Sequence, residues 1–252
     1  MSSKTVIYTA IFGNYEGLIP QPQYVGVDYV CFTDTPLKCK FWKVIVVERR
    51  FEDPTLDARW HKIMAHKHLS KYKQSIYIDG NFLVLQNPVK LLEQKLRDEI
   101  VLAFFDHNQC DDARNCAYEE YQAILNLQDK QGYFKDSPER MQRLITFLKE
   151  QKYPENNGLI SSGVLMRKHN DAELIKLMED WWYFVENYTK RDQLSFDYVL
   201  WKNNFKRYTY LDGDIRRSNG WFYFLAKHRK NYRFKLFKLK LKKFFNGSAD
   251  KF

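Results

Sequence analysis

Apolar runs of four to seven residues, rich in β-branched and aromatic side chains, recur at Val6 to Phe12, Tyr29 to Thr33, Trp42 to Val47, Ser75 to Ile78, Val101 to Phe105 and Gly163 to Arg167. Runs of this length and composition read as buried strands. Stretches of helical spacing lie among them, at Pro54 to Tyr72, Pro88 to Arg97, Arg114 to Asp129 and Pro138 to Lys149. After the sixth strand come two further helical stretches, Asp171 to Tyr188 and Asp192 to Asn203, and then a short strand, Arg207 to Leu211. The alternation predicts an α/β sheet covered by helices on both faces. Gly132 to Ser137 and Tyr153 to Asn157 read as surface loops.

Several of the strands stop on residues that can do chemistry. Ser75 to Ile78 runs into Asp79, Gly80 and Asn81. At the carboxyl end of a strand in an open α/β sheet, where ligands bind, an Asp and an Asn separated by a glycine offer two hard oxygen ligands. Such a pair suits Mg²⁺ or Mn²⁺ shared with a diphosphate, although Asp-Gly-Asn is also an ordinary turn sequence. The first strand passes through Thr9, Ala10 and Phe12 into Gly13 and Asn14, residues that tolerate unusual backbone angles close to a ligand. That stretch can cradle a nucleotide or simply turn. The second strand ends on Asp34, which could accept a hydrogen bond from a base or ribose.

Arg59, Lys62, His66 and Lys67 fall near one face of the first predicted helix. Turned toward Asp79, that face would neutralise a diphosphate; turned outward, it is merely solvated. Phe104 to His107 closes another strand, and Arg114, Glu119 and Glu120 open the next helix. His107 with Cys110, Asp111 and Cys116 matches no familiar zinc spacing, so a substrate loop with a hydroxyl-recognising histidine is the better reading. Ser161, Ser162 and Gly163 admit a close approach to the sixth strand. Arg191, Asp192 and Gln193 precede an aromatic-rich helix; Asp192 is placed either to cap that helix or to hold an acceptor hydroxyl and take its proton.

Charge changes the picture only at the end of the chain. Of 252 residues, 41 are Lys or Arg and 31 Asp or Glu, a net charge of +10, but residues 227–252 hold 10 of those cations and one acid, Asp250, leaving the 1–226 body at +1. A near-neutral body argues against nucleic acid as a partner. In the tail, Phe234, Phe237, Leu241, Phe244 and Phe245 fall at helical spacing among the basic residues. This pattern predicts a basic amphipathic helix on an anionic membrane surface, the alternatives being a helix docked on the body or a nucleic-acid contact. The expected division is a catalytic body, 1–226, and a C-terminal helical extension, 227–252. No apolar run approaches the ~20 residues that span a bilayer, and the first residues lack the pattern of a signal peptide. The expected location is therefore cytoplasmic, peripheral on the inner face of a membrane. Four cysteines without a paired spacing read as reduced thiols.

Taken in order, YTAIFGNYE, DYVCFTD, ARWHK, SIYIDGN, the His107 to Glu120 segment, SSGVLMRKH and WW...RDQLSFDYVL resemble a glycosyltransferase-like family, long described as a domain of unknown function, with plant members related to seed-mucilage pectin. More distantly the chain is similar to GT-A glycosyltransferases, which end a strand in Asp-x-Asp. The resemblance implies a GT-A-like, Rossmann-type mixed sheet flanked by helices, a nucleoside diphosphate sugar as donor with a UDP-sugar favoured, a divalent metal, and a glycan or lipid-linked acceptor. On this reading Thr9, Ala10, Phe12, Gly13, Asp34, Arg59, Lys62, Asp79 and Gly80 bind the donor, and His107, Arg114, Glu119, Ser162, Gly163 and Arg191 bind the substrate. Asp192 and Gln193 are catalytic, and Asp79, Asn81 and a late His228 hold the metal. Asn81 departs from the family pattern, removing a negative charge where a second Asp is usual. A non-catalytic carbohydrate-binding scaffold and a nucleotidyltransferase are the alternatives.

Overall fold

The computed structural model describes residues 5–131, 136–217 and 219–225 and the isolated positions 234 and 237. Phe234 and Phe237, both exposed, are described; the rest of the predicted amphipathic tail helix and His228 lie outside these residues.

Seven strands form the central sheet: β1 (Thr5–Ile11), β2 (Val27–Thr33), β3 (Trp42–Val46), β4 (Gln74–Ile78), β6 (Leu102–Asp106), β7 (Ile160–Arg167) and β8 (Tyr208–Leu211), in the order β3-β2-β1-β4-β7-β6-β8. Adjacent strands are parallel except at β7, which runs antiparallel to both β4 and β6. This is the expected mixed sheet flanked by helices. The carboxyl ends of β1, β2, β4 and β6 and the amino end of β7 therefore share one edge. Two short strands that the sequence pattern did not reveal, β5 (Phe82–Val84) and β9 (Phe222–Phe224), pair separately. Three residues each are too few to show a period.

Along β1 the side chains alternate between two apolar layers. Val6, Tyr8 and Ala10 pack with residues of α1 (Pro54–Ile63), α4 (Ala117–Gln131), α5 (Pro138–Glu150), α6 (Ala172–Asn187) and α7 (Gln193–Lys202). Ile7 and Ile11 pack on the other face with Leu91 and Leu92 of α3 (Val89–Lys95) and with Phe82, Val84 and Phe222 of the small sheet. Both faces being covered explains why the strands read as continuous apolar runs.

The helix expected over Pro54 to Tyr72 is broken at Met64 (φ −89°, ψ 41°), with only the four-residue α2 (Ala65–His68) beyond it. The break has an identifiable cause. Asp53 caps the start, its carboxylate accepting from Thr55 N at 2.8 Å. At the other end Tyr8 donates to the Lys62 carbonyl (2.7 Å), and Arg167 donates to the carbonyls of Lys62 (2.7 Å) and Ile63 (3.1 Å). These bonds satisfy terminal helix acceptors from outside. Arg167 is fully buried, and besides these two carbonyls it donates to the Tyr8 hydroxyl and to Met178 Sδ.

Candidate active site

Two cavities open at the shared sheet edge. One, of about 420 Å³, lies beside the end of β1 and is lined by Ala10, Phe12, Gly13, Glu16, Asn81 and neighbours. The other, of about 530 Å³, lies over β7 and α4, with His107, Arg114, Glu120, Ser162, Asp192 and Gln193 among its walls. Arg59, Asp79 and Arg191 line both. The two spaces thus adjoin at one carboxylate and two guanidinium groups.

Asp79 follows β4 in a turn closed by Phe82 N on the Asp79 carbonyl (3.1 Å). Its backbone N donates to the Gly163 carbonyl at 2.9 Å, and its Oδ1 accepts from the Tyr77 hydroxyl at 2.8 Å. Asn81 Oδ1 is buried and has no hydrogen-bond partner among the described residues. An ionisable carboxylate and an unsatisfied carboxamide oxygen one residue apart fit a hard cation whose remaining ligands come from a diphosphate. Among the described residues no group of three or more His, Cys, Asp or Glu side chains could hold a metal by itself. That leaves the His107, Cys110, Asp111 and Cys116 zinc reading without support.

Asp192 stands at the N-cap position of α7, yet its side chain makes no capping bond. It turns inward instead. Asp192 Oδ2 lies 2.6 Å from Lys62 Nζ and 3.6 Å from Arg59 Nε, and accepts from Ser162 Oγ at 3.1 Å. Burial works to raise its pKa, but Arg59 and Lys62 outweigh burial and hold the carboxyl well below the usual range. Burial pulls the Lys62 ammonium down while Asp192 works against that pull. Gln193 Nε2 donates to the Ile160 carbonyl at 2.8 Å, fixing the carboxamide at the wall of the larger cavity.

An irregularity in β7 places Ser162. Phe104 pairs with Leu165, but Phe105 pairs with Ser161, so Ser162, Gly163 and Val164 have no partner on β6. Val164 and Met166 pack in the α3 layer, and simple alternation would send Ser162 there too. The shifted register instead brings its hydroxyl to Lys62 and Asp192, the re-aiming that bulges beside active sites perform.

At the far wall, Arg114 Nε and Arg191 Nη2 share the Glu120 carboxylate at 2.7 and 3.5 Å. Arg114 Nη2 lies 2.9 Å from His107 Nε2. Because a guanidinium only donates, Nε2 is the acceptor and Nδ1 carries the hydrogen. Burial, reinforced by Arg114, lowers the imidazole pKa. Nε2 of His107 is therefore occupied by Arg114.

Of the expected donor residues, Ala10, Phe12, Gly13, Arg59 and Asp79 line the smaller cavity, and Gly80 lies buried in the turn between Asp79 and Asn81. Gly13 (φ 64°) and Asn14 (φ 51°) do take left-handed backbone angles there. Three donor assignments need correction. Thr9 is fully buried inside β1 and reaches neither cavity. Asp34 also stands outside both walls, its carboxylate accepting from Gly13 N at 3.0 and 3.1 Å and so closing the β1 loop onto β2. Lys62 is buried behind Asp192, where it pairs with the carboxylate and cannot meet a diphosphate directly. His66 and Lys67 turn to Glu179 on α6, away from the cavities.

Among the substrate residues, His107, Arg114, Ser162, Gly163 and Arg191 line the larger cavity. Glu119 does not; it is exposed and accepts from Asn115 N at the start of α4, and the next residue, Glu120, takes the wall. A signal was present, since Glu120, Ile124 and Leu127 recur at helical spacing and all line the cavity. Phe82 and Phe224, from the unforeseen small sheet, complete that cavity.

Residues 30–213 match the family described as TOD1/MUCI70, glycosyltransferase-like domain. The probable hexosyltransferase MUCI70 of Arabidopsis thaliana is 22% identical over 194 residues, covering 71% of this chain and 31% of that protein. The chain thus spans about a third of the length of that relative. Among solved structures, the WbbM bifunctional glycosyltransferase is similar with a TM-score of 0.48 at 11% identity, over 96% of this chain and 45% of that one. A glycosyltransferase involved in glycosylating the major capsid of PBCV-1 gives 0.46 at 9% identity, over 94% and 99%. The match over 30–213 takes in most of the strands and both cavities' central residues, and the chain belongs to the TOD1/MUCI70 glycosyltransferase-like family.

Proposed function

We propose that the chain transfers a sugar, a hexose on the analogy of its plant relative, from a nucleoside diphosphate sugar to a glycan or lipid-linked acceptor, assisted by Mn²⁺ or Mg²⁺. The observation that carries this reading is the meeting of two cavities at Arg59, Asp79 and Arg191. A donor lying in the smaller cavity would bring its diphosphate to the two guanidinium groups, which match its charge. Its sugar would then face the larger cavity, where the acceptor binds. A UDP-sugar is the donor to try first.

Arg59 and Arg191 stabilise the diphosphate as it leaves, the point at which negative charge develops. A divalent cation held by Asp79 and Asn81 would supply further positive charge to the same group. Asp192, with its proton affinity suppressed by Arg59 and Lys62, is a poor proton acceptor. It serves as a fixed negative charge opposite the cationic character that the sugar carbon acquires. Gln193, held by Ile160, orients the sugar beside it. The basic 227–252 segment, on its composition alone, is proposed to keep the enzyme on the inner face of an anionic membrane; deleting it should abolish co-sedimentation with anionic vesicles.

Calorimetric titration with UDP, GDP and ADP, their sugars and the corresponding nucleoside triphosphates, with and without Mn²⁺, tests the central reading on wild type and Asp79→Ala. Metal-enhanced binding of one nucleotide, lost in the variant, is the expected result. Binding of a nucleoside triphosphate in preference to every diphosphate would favour nucleotidyl transfer. Failure to bind any of them would favour a non-catalytic carbohydrate-binding role.

A further inference from the structure

Ile160 opens β7 opposite Asp106, and α7 holds it by both of its backbone groups. Gln193 Nε2 donates to the Ile160 carbonyl at 2.8 Å, and the Ile160 N–H donates to Asp197 Oδ2 at 2.9 Å. Gln193 and Asp197 stand one turn apart on the helix, so the two side chains share a face. Gly158 makes room for the second carboxyl oxygen, since a methyl group added there would lie 3.0 Å from Asp197 Oδ1.

Asp197 is buried and lines neither cavity, but the strand it holds carries contacts that build the site. Just before Ile160, the Leu159 carbonyl accepts from His107 N at 2.8 Å. Just after it, the Ser162 hydroxyl meets Lys62 at 2.9 Å and Asp192 at 3.1 Å, and the Gly163 carbonyl accepts from Asp79 N at 2.9 Å. A shift of Ile160 would therefore move Ser162 and Gly163 along the chain and Gln193 through its side-chain bond. We propose that Asp197 is a positioning residue of the reactive centre: by fixing where β7 begins, it sets Gln193, Ser162 and Gly163 in register with Asp192 and Asp79. The inference rests on the reading that these cavities transfer a sugar.

The hold depends on a proton. The titratable groups that act on Asp197 or feel its charge are Asp106 at the end of β6, Tyr210 of β8 and Tyr153 ahead of β7. Burial keeps both phenols protonated, and Asp106 adds to burial in opposing ionisation of Asp197, whose pKa is pushed up to about 7. Ionisation places a buried charge beside Asp106 and loosens the start of β7 around it.

The test is the pH dependence of Mn²⁺-dependent hydrolysis of UDP-, GDP- and ADP-hexoses by wild type, Asp197→Asn, Asp197→Ala and Asp106→Asn, with kcat and donor KM measured separately. Circular dichroism at each pH confirms that the proteins are folded. Wild-type kcat should fall about 10-fold between pH ~6 and pH ~8, the change in protonated fraction of one group titrating at about 7, with a smaller change in donor KM. Asp197→Asn keeps an oxygen for the Ile160 amide and cannot ionise, so it should hold the kcat of the acid limb across that range. Asp106→Asn, outside both cavity walls, removes a charge that opposes ionisation and should move the fall to lower pH. Asp197→Ala should lower kcat at every pH more than it raises donor KM; should it fail to fold, the two Asn variants decide. A kcat profile unchanged in both Asn variants would overturn the inference and leave sugar transfer standing. Absence of hydrolysis of every nucleotide sugar by wild type would overturn both.

Discussion

Lys62 and Asp192 meet at 2.6 Å with both side chains sealed from solvent, and Asp192 reaches a cavity wall while the ammonium reaches neither. The lysine therefore acts on bound molecules through the groups it holds, the Asp192 carboxylate and the Ser162 hydroxyl.

Replacing Lys62 by Met leaves a buried carboxylate facing Arg59 at 3.6 Å and the Ser162 hydroxyl. Breaking a buried pair from one side costs about 3–5 kcal/mol, and urea unfolding at pH 7 should show a loss of that size. The folded-state pKa of Asp192 is depressed, so its contribution is present above its unfolded value near ~4 and is lost as pH falls through the folded value. Wild type should accordingly lose stability on acidification below pH ~4, and Lys62→Met should lose less over that window. Equal acid sensitivity in the two proteins would remove Lys62 as the cause of the depression.

Asp197 behaves in the opposite sense. Buried on α7 and accepting from Ile160 N at 2.9 Å, it has its pKa pushed up to about 7, chiefly by burial and further by Asp106. The folded state then binds a proton that the unfolded chain has already released, so stability falls as pH rises from ~4 toward ~7. The full effect is of order 2–4 kcal/mol. Asp197→Asn keeps an oxygen for Ile160 N and should flatten the pH dependence of the urea midpoint across that interval. A slope unchanged by the substitution would show that another group titrates there.

Arg167→Met removes the donors that close α1, taking the guanidinium from the Ile63 carbonyl and leaving the Lys62 carbonyl to Tyr8 alone. A loss of about 3–5 kcal/mol is expected. Arg167→Lys, with a compact ammonium in place of the planar fork, should recover only part of it. Because the fork sets where Lys62 leaves the helix, the lysine variant should lower kcat more than it raises the donor KM. A pure KM effect would contradict that positioning role.

Glu119 and Glu120 provide an internal control. Glu120→Gln weakens the anchor of both Arg114 and Arg191 and should raise the acceptor KM by ~10-fold or more, since hydrogen bonds between charged groups are the strong ones. Glu119→Gln, at an exposed helix start, should change stability by under ~0.5 kcal/mol and leave KM unaltered. Comparable kinetic losses in the two would sink the assignment of Glu120 to the site.

What the sequence discloses follows from how far each signal extends. Long apolar runs announce buried strands by themselves, so β1, β2, β4 and β6 were legible, and with them the edge on which Asp79 and His107 stand. Asp192 and Gln193 were legible as a motif, but the partner of Asp192 was not. Lys62 shares its helix face with cations that turn outward, and nothing local marks the one facing a carboxylate 130 residues away. The break at Met64 was hidden for the same reason, since it is imposed by Tyr8 and Arg167 and no glycine or proline signals it. Glu119 and Glu120 differ by 100° around α4, a distinction that depends on where the helix begins. It begins at Ala117, three residues after the expected Arg114.

β7 touches Lys62 twice: Ser162 meets the ammonium at 2.9 Å, and Arg167 meets the backbone carbonyl of the same residue at 2.7 Å. Both contacts require the shifted pairing with β6, because Ser162 and Arg167 lie an odd number of residues apart and would otherwise project to opposite sides of the sheet. The strand and the lysine thereby act as a gauge for each other. Sliding β7 by a single residue would take the Ser162 hydroxyl from the Lys62–Asp192 pair and the Arg167 guanidinium from the end of α1 at once, so near-miss registers are penalised during assembly. Proofreading of the fold and construction of the reactive centre are in this respect the same event.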